Sequence, residues 1–390
     1  MIKTAIGHSE DPDSLAAIDE VLAQCHATLA DYPPQAGILF AGIDFEHELL
    51  LQRIHQSFPD IALIGGTTDG EISSQLGCQQ DSITLMLLCS DRIQFSAGIG
   101  TDLSHDPQTA VQQAVHQAQA PLSETARLCL TTPESLTIAP QTIVEHLQQA
   151  LGPHIPIFGG ATGDQWRFQQ TYQFCGTQVF SDAVPILLLA GDVCFSYGAV
   201  SGWTPISQAG IVTKSHGPTL YEIDGQPALE FYRRYLGNLP PSGEYPLAVF
   251  ATEGSDFCLQ GCVTYDPELG SVTFFDHIPE QAIVKLTKAS RDEILAASRT
   301  SFMHALETYP GTEPEVALFF SCGARRYLLG TRTQEEHQLI HTCLPHPIPY
   351  IGLYSYGEIA PAGYNSASRI HNMTFVTLLL GSGSNYPIDS

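Results

Sequence analysis

Side chains that could bind a ligand are concentrated near two apolar stretches in the last third of the chain. Arg325 comes three residues after Cys322, where an apolar run ends. A guanidinium at a strand end is able to fork onto a carboxylate or a phosphate, and the chain has only 16 Lys and Arg against 41 Asp and Glu. Two interpretations carry equal weight. Arg325 binds an anionic ligand group, or it forms an ion pair with Glu71 or Glu358.

Two glutamates directly follow glycines, Glu71 after Gly70 and Glu358 after Gly357. A carboxylate at such a position is able to bind a ligand amine, or to cap a backbone amide of the following loop or helix. Together with Arg325, these glutamates would hold the two ends of an amino acid. Both interpretations of the glutamates stay open at this point.

Two tyrosines, Tyr354 and Tyr356, are alternate residues of a predicted strand. Alternate residues of a strand share one face, so the two rings are expected to form one wall of an apolar pocket. Packing in the core is the alternative. A pocket formed by Arg325, Glu358 and the two tyrosines is therefore expected at the strand ends.

Cys322 is the one residue that suggests covalent catalysis. A thiol needs a neighbouring base such as His371, itself oriented by a carboxylate, to act as a nucleophile. Single cysteines at strand ends are mostly core residues, so we expect no enzyme activity, and a cysteine-dependent hydrolase is an alternative. Since no Cys-x-x-Cys pair occurs among ten cysteines, we expect no metal site. No cofactor is expected either, although non-covalent haem stays open as a cofactor.

A pattern that occurs three times is expected to position these residues. An apolar run, a helical stretch and a second apolar run start at Ala36, Ala126 and Val316, and each ends in a further apolar run. A hydroxyl residue follows an equivalent glycine by three positions in each copy: Gly65 and Thr68, Gly159 and Thr162, Gly352 and Ser355. The pattern predicts an α/β protein of mixed α+β layers, in which strand–helix–strand–strand units form mixed sheets packed with helices. The glycines are expected at turns that leave a buried strand.

A turn-rich cluster at 237–243 suggests a boundary between two domains. We expect an N-terminal domain at 1–225, with related units at about 36–100 and 126–203. A linker at 226–246 and a C-terminal domain at 247–381 follow, and 382–390 forms a frayed tail.

The net charge of −25 argues against binding to nucleic acid or to a membrane surface. The N-terminus lacks a signal pattern, and the sequence contains no apolar run of about 18 residues. A cytoplasmic location is expected.

Several segments, in the same order along the chain, resemble the two halves of the FIST family of domains. These segments are Gly65–Ile72, Gly159–Asp164, Gly202–Ile206, Tyr221–Leu229, Ser321–Arg326, Gly352–Ile359 and His371–Thr374. The resemblance implies a FIST N-terminal domain followed by a FIST C-terminal domain. It covers most of 36–380.

The resemblance implies a non-catalytic sensor of bacterial signal transduction that binds a small metabolite such as an amino acid. A haem-dependent sensor of nitric oxide is an alternative, because one branch of the family has that function. Output would pass through a separate signalling protein, and a homodimer is left open. The resemblance alone adds these residues to the site: Asp69, Asp164, Trp203, His371 and Asn372. Thr67, Asp69 or Trp203 would close the N-terminal domain over the pocket.

Overall fold

The computed structural model of the protein describes residues 1–29, 32–250, 257–344, 346–363 and 366–383. Most of the predicted tail, from 384 onward, lies outside these residues. The described residues contain no helix that is long and apolar enough to cross a membrane.

The first unit alternates strands and helices and then adds a short hairpin before its last strand. Its elements are β1 (Ile2–Ser9), α1 (Ser14–Leu29), β2 (Ala36–Ala41), α2 (His47–Ser57), β3 (Ala62–Thr67), β4 (Glu71–Ser73), β5 (Gly77–Gln79) and β6 (Ile83–Ser90). The helix α2 packs on its sheet through buried apolar residues at helical spacing, such as Leu50, Leu51 and Ile54.

The second unit has the same order of elements. They are β7 (Ile93–Thr101), α3 (Pro107–Gln119), β8 (Ala126–Thr131), α4 (Pro140–Leu151), β9 (Ile157–Gly160), β10 (Gln173–Cys175), β11 (Gln178–Phe180) and β12 (Ala183–Gly191). The segment between β9 and β10 is longer than its counterpart between β3 and β4, and it carries residues of the candidate site.

The third unit begins with β13 (Val193–Val200) and is then interrupted by a separate sheet with one helix. The inserted elements are β14 (Thr204–Pro205), β15 (Gly210–His216), β16 (Thr219–Ile223), β17 (Gln226–Pro227), α5 (Ala228–Leu236), β18 (Leu247–Phe250), β19 (Phe257–Gln260), β20 (Cys262–Asp266), β21 (Ser271–Phe274) and β22 (Ile283–Lys288). The unit then resumes with α6 (Arg291–Glu307), β23 (Val316–Cys322), α7 (Gly323–Leu329), a 3₁₀ turn (Gly330–Arg332), α8 (Thr333–Cys343), β24 (Tyr350–Ser355), β25 (Glu358–Pro361), β26 (Ser368–His371) and β27 (Phe375–Ser382).

Each unit contributes four strands to its own six-stranded sheet. Its hairpin supplies the other two strands of a neighbouring unit's sheet. The orders are β1-β6-β2-β3-β10-β11, β7-β12-β8-β9-β25-β26 and β13-β27-β23-β24-β4-β5. In each sheet the third and fourth strands are parallel and the other pairs are antiparallel. The predicted α/β class with mixed sheets is confirmed. The exchange of hairpins connects the three units in a closed cycle.

The three predicted glycines lie at the same position of their sheets, but inside strands rather than at turns. Gly65, Gly159 and Gly352 each pair with the parallel neighbouring strand on one side and with a borrowed hairpin on the other. A Cβ atom would lie 1.9 Å from a backbone oxygen of that parallel strand at Gly65 and at Gly159, and 2.4 Å from one at Gly352. Close approach of the neighbouring strand therefore explains the glycines.

The inserted sheet joins strands from both sides of 226–246, since β15 pairs with β22 and β16 with β21. The segment itself contains α5, whose Phe231 and Tyr232 are buried in the core of this sheet. The division into two domains at 226–246 stays a prediction.

Candidate functional site

The ends of β3, β9 and β24, with the residues that follow them, meet and form a ring of backbone hydrogen bonds. The Asp69 N–H donates to the Tyr354 carbonyl (2.9 Å), the Gly163 N–H to the Thr67 carbonyl (2.9 Å), and the Tyr356 N–H to the Ala161 carbonyl (3.1 Å). These residues stand at matching distances from the three glycines. The ring brings segments about 100 and 190 residues apart in sequence next to each other.

Glu71 and Glu358 are fully buried beside this ring, and each satisfies both carboxylate oxygens inside the protein. Glu71 accepts hydrogen bonds from the Thr68 hydroxyl and from Ser82. Glu358 accepts from the Ser355 hydroxyl (3.0 Å) and from the Thr374 N–H (3.0 Å). Burial raises the pKa of Glu71 to about 7 and the pKa of Glu358 to about 8. Both glutamates hold their own loops, as the capping alternative describes.

Arg325 is fully buried and engaged in the core, so the structure corrects its expected role as a ligand contact. Its Nη2 lies 2.9 Å from Glu336 Oε1 and donates to the Ser298 hydroxyl (2.6 Å). Its ion-pair partner is therefore Glu336 on α8, and neither Glu71 nor Glu358 fills that role. The Tyr354 hydroxyl donates to the second oxygen of Glu336 (2.5 Å), which places Tyr354 in the same buried cluster.

Tyr356 separates from Tyr354 because β24 ends at Ser355. The Tyr356 hydroxyl donates to Asp164 Oδ1 (2.7 Å). The expectation that the two tyrosines share one face is wrong, since the alternation of a strand stops where the strand stops. Only Tyr356 faces the residues described next.

Asp69 is a fully buried carboxylate that is incompletely satisfied. Its Oδ2 accepts a hydrogen bond from the Trp166 indole Nε1 (2.9 Å) and lies 3.7 Å from Arg326 Nη1. Its Oδ1 has no partner among the described residues. Burial raises the pKa of Asp69 from its ordinary value of 3.8 to about 7, against the opposing effects of Arg326 and the Trp166 bond. The backbone of Gly323 lies so close that a Cβ there would be 2.7 Å from Oδ2.

Asp164 shapes the segment that carries Trp166. Its two oxygens accept from the backbone N–H groups of Phe168 (2.9 Å), Gln169 (2.7 Å) and Gln170 (3.1 Å). Three residues of this segment, Gln165, Trp166 and Phe168, have φ between +49° and +64°. Left-handed backbone at non-glycine residues is costly and is concentrated at functional sites.

The segment presents aromatic rings at the surface. Phe168 stacks on Tyr356 with 5.0 Å between centroids, and Trp166 contacts Phe168 (5.5 Å) and Tyr327 (5.6 Å). Phe275 of the inserted sheet lies 5.9 Å from Phe168. The exposed fractions are 37% for Trp166, 44% for Phe168, 55% for Phe275 and 72% for Tyr327. We call these five rings the aromatic cluster.

The other predicted residues lie away from the exposed rings or make backbone contacts. Trp203 is buried in the core between α6 and the inserted sheet. Thr67 exchanges hydrogen bonds with the backbone of Tyr172. On the far side of β25, Asn372 donates to the Leu259 carbonyl (3.0 Å) and His371 contacts the Ala360 carbonyl (3.1 Å).

Cys322 is also buried, and burial together with the charge of Glu358 raises the pKa of its thiol strongly. The sequence analysis did not name Trp166, Phe168, Phe275 or Tyr327 as site residues. Of the two adjacent arginines, it placed Arg325 rather than Arg326 in the pocket. One signal was available, because Trp166 is one of only two tryptophans and comes two residues after the Gly163-Asp164 turn.

The family comparison defines the class of protein to which this fold and site belong. The FIST N domain matches residues 35–226 and the FIST C domain matches residues 228–361. The chain therefore belongs to the FIST family, whose domains are sensors of signal transduction.

The proteins similar to this chain include one relative in sequence and two solved structures. An uncharacterised protein of Methanocaldococcus jannaschii is 32% identical over 95 residues, which are 24% of this chain and 18% of the relative. Two structures of cyanuric acid hydrolase, one from A. caulinodans, align over 98% of this chain and 100% of theirs, at 8% identity with TM-scores of 0.40 and 0.38. Likeness at this level carries no argument about function.

Proposed function

We propose that this protein is a non-catalytic sensor that binds a small metabolite between Asp69, Arg326 and the aromatic cluster. Asp69, Asp164 and Tyr356 remain site residues from the sequence analysis. Arg326, which faces Asp69, lies at the site instead of its neighbour Arg325. The observation that carries the proposal is that Oδ1 of the buried Asp69 has no partner in the part of the chain that the structure describes. An amino acid is the example of a ligand that the family resemblance implies.

A comparison within the same region supports this assignment. The carboxylates of Glu71, Glu358 and Asp164 have hydrogen-bond donors on both oxygens. From the described segments, donors or cations reach one oxygen of Asp69 only. A buried acceptor without a partner costs about 1–3 kcal/mol, and no described residue offsets that cost at Asp69 Oδ1. A ligand donor that completes the contacts of Asp69 would offset it.

Binding at Asp69 also has a route to the rest of the molecule. Asp69 is part of the backbone ring that connects the three sheets, and Trp166 lies in the segment that leads from the second sheet to the first. A ligand that shifts Trp166 would change the exposed aromatic cluster. We propose that a separate signalling protein in the cytoplasm reads this change, and a homodimer is one form in which the sensor would act.

The cysteine-dependent hydrolase receives less support. The pKa of Cys322 is raised by burial, whereas a nucleophilic cysteine needs a lowered pKa. For the haem alternative, the eight residues that form the site include no histidine: Asp69, Asp164, Trp166, Phe168, Phe275, Arg326, Tyr327 and Tyr356. An absorption spectrum of the purified protein tests the haem alternative, and a Soret band would contradict the metabolite sensor.

A thermal-shift screen of small metabolites, with amino acids included, tests the proposal on the parent and on two variants. A ligand at about 100 times its Kd stabilises the folded state by about 2.7 kcal/mol. We expect Asp69→Asn and Phe168→Leu to reduce this stabilisation. Asp19→Asn removes an equal charge from a distant surface ion pair with Arg53 and should behave as the parent. A ligand that stabilises all four proteins equally would place the binding site elsewhere.

A further inference from the structure

We propose that the group recognised at this site is an organic ammonium ion, held between Asp69 and the faces of the aromatic cluster, and that a ligand carboxylate is not required. The inference rests on the proposed function and specifies its ligand.

The unpartnered atom is an acceptor, and it therefore selects a donor. A carboxylate oxygen such as Asp69 Oδ1 accepts hydrogen bonds, whereas a ligand carboxylate or phosphate is itself an acceptor. An ammonium group supplies up to three donors and a positive charge. A charge-assisted bond is shorter and stronger than a neutral one. An ammonium ion thus satisfies Oδ1 and offsets the cost of burying the charge of Asp69.

The rings of the aromatic cluster also favour a cation. The face of an aromatic ring carries negative electrostatic potential and attracts an ammonium group within about 6 Å of its centroid. Trp166, Phe168 and Tyr356 lie next to one another, and Trp166 donates its indole N–H to Asp69. The exposed parts of Phe168 and Tyr327 offer apolar area for the organic part of the ligand.

The charged groups around Asp69 leave little for an anion to bind. Arg326, from α7, already faces Asp69 and donates to Gln80. Arg167 forms an ion pair with Asp44. Asp164 faces the site from the segment after β9, and Tyr356 faces it after β24. Both arginines are engaged, so a ligand carboxylate would meet mainly acidic and aromatic groups.

Trp166 is a partly exposed residue that contacts the buried Asp69. Oδ1 is shielded from solvent, while the indole reaches from the surface to Asp69 Oδ2. A ligand that reaches Oδ1 therefore displaces or contacts this indole. The other tryptophan, Trp203, is buried in a different core, so the fluorescence change on binding comes from Trp166.

Three probes that share a phenylethyl group test the inference by fluorescence titration at pH 8. The probes are 2-phenylethylammonium, neutral 2-phenylethanol and phenylalanine, which adds a carboxylate to the amine. We expect the amine to bind at least about tenfold more tightly than the alcohol, and phenylalanine to bind no more tightly than the amine. Asp69→Asn should weaken binding of the amine about tenfold or more, Phe168→Leu should weaken it less, and Asp19→Asn should leave it unchanged.

The pH dependence adds a second readout. The amine stays protonated well above pH 8, as lysine does, while Asp69 has a pKa of about 7. Binding of the amine should therefore strengthen from pH 6 to pH 8 in the parent and stay constant in Asp69→Asn.

The outcomes separate this inference from the proposed function. Equal binding of the alcohol, or tighter binding of phenylalanine, with loss in Phe168→Leu would overturn the ammonium inference and leave the sensor site in place. If no probe binds at millimolar concentration and no screened metabolite depends on Asp69 or Phe168, both are overturned.

Discussion

Replacing Asp69 with asparagine should make the protein more stable while it weakens ligand binding. Burial raises the pKa of Asp69 from 3.8 to about 7. Between these two pH values the folded state favours the protonated carboxyl group, whereas the unfolded state favours the carboxylate. A raised folded-state pKa means that the full stability is present below about pH 4 and is lost as the pH rises through about 7. Asparagine has nearly the same shape as aspartate and does not titrate, so its stability does not fall as the pH rises.

The pKa shift sets the magnitude of the effect. A shift of about 3 pKa units, at 1.36 kcal/mol per unit, corresponds to about 4 kcal/mol above pH 7. The pH of 5 is only about one unit above the pKa of the unfolded carboxyl group, so at pH 5 the cost is about 1–2 kcal/mol. The stabilisation by Asp69→Asn should therefore be about 2–3 kcal/mol larger at pH 8 than at pH 5. For a chain of this size the Tm difference should be on the order of 5 °C.

Thermal unfolding at pH 5 and pH 8, followed by circular dichroism, measures this difference. Asp164→Asn is the matched control, because Asp164 accepts three backbone hydrogen bonds and should be destabilising to replace at both pH values. If Asp69→Asn lowers the Tm at both pH values, Asp69 has a structural role and the reasoning for the site is refuted. An equal gain at both values would refute the raised pKa.

Three further predictions concern the core. Glu336→Ala should destabilise the protein by about 3–5 kcal/mol, because it leaves the buried Arg325 without its carboxylate; replacing both residues with apolar ones should recover much of the loss in denaturant unfolding. Gly159→Ala should prevent stable folding, since its Cβ would lie 1.9 Å from a backbone oxygen, and a parent-like Tm would contradict the close approach. Mass spectrometry after brief native alkylation at pH 8 should find Cys343, which is half-buried, modified before the buried Cys322; faster labelling of Cys322 would revive the nucleophile alternative.

The sequence was sufficient for features that depend on local pattern. Apolar runs and helical spacing repeat along the chain, and they predict the α/β class without knowledge of any contact. The matching positions of Gly65, Gly159 and Gly352 could be read in the same way. Their location inside strands could not, because the carbonyl that excludes a Cβ belongs to another strand. The strand and helix before residue 36 also complete the first unit, and the sequence pattern did not reveal them.

The candidate site was decided by tertiary structure. Asp69, Trp166 and Tyr356 come from three different units, and only the exchange of hairpins brings them together. Arg325 and Arg326 are adjacent in sequence, yet successive residues of a helix point about 100° apart. One guanidinium therefore enters the core beside Glu336, and the other reaches Asp69. Local sequence determines which residues are polar and where a strand ends, but a binding site requires contacts between distant segments, and those depend on how the sheets pack.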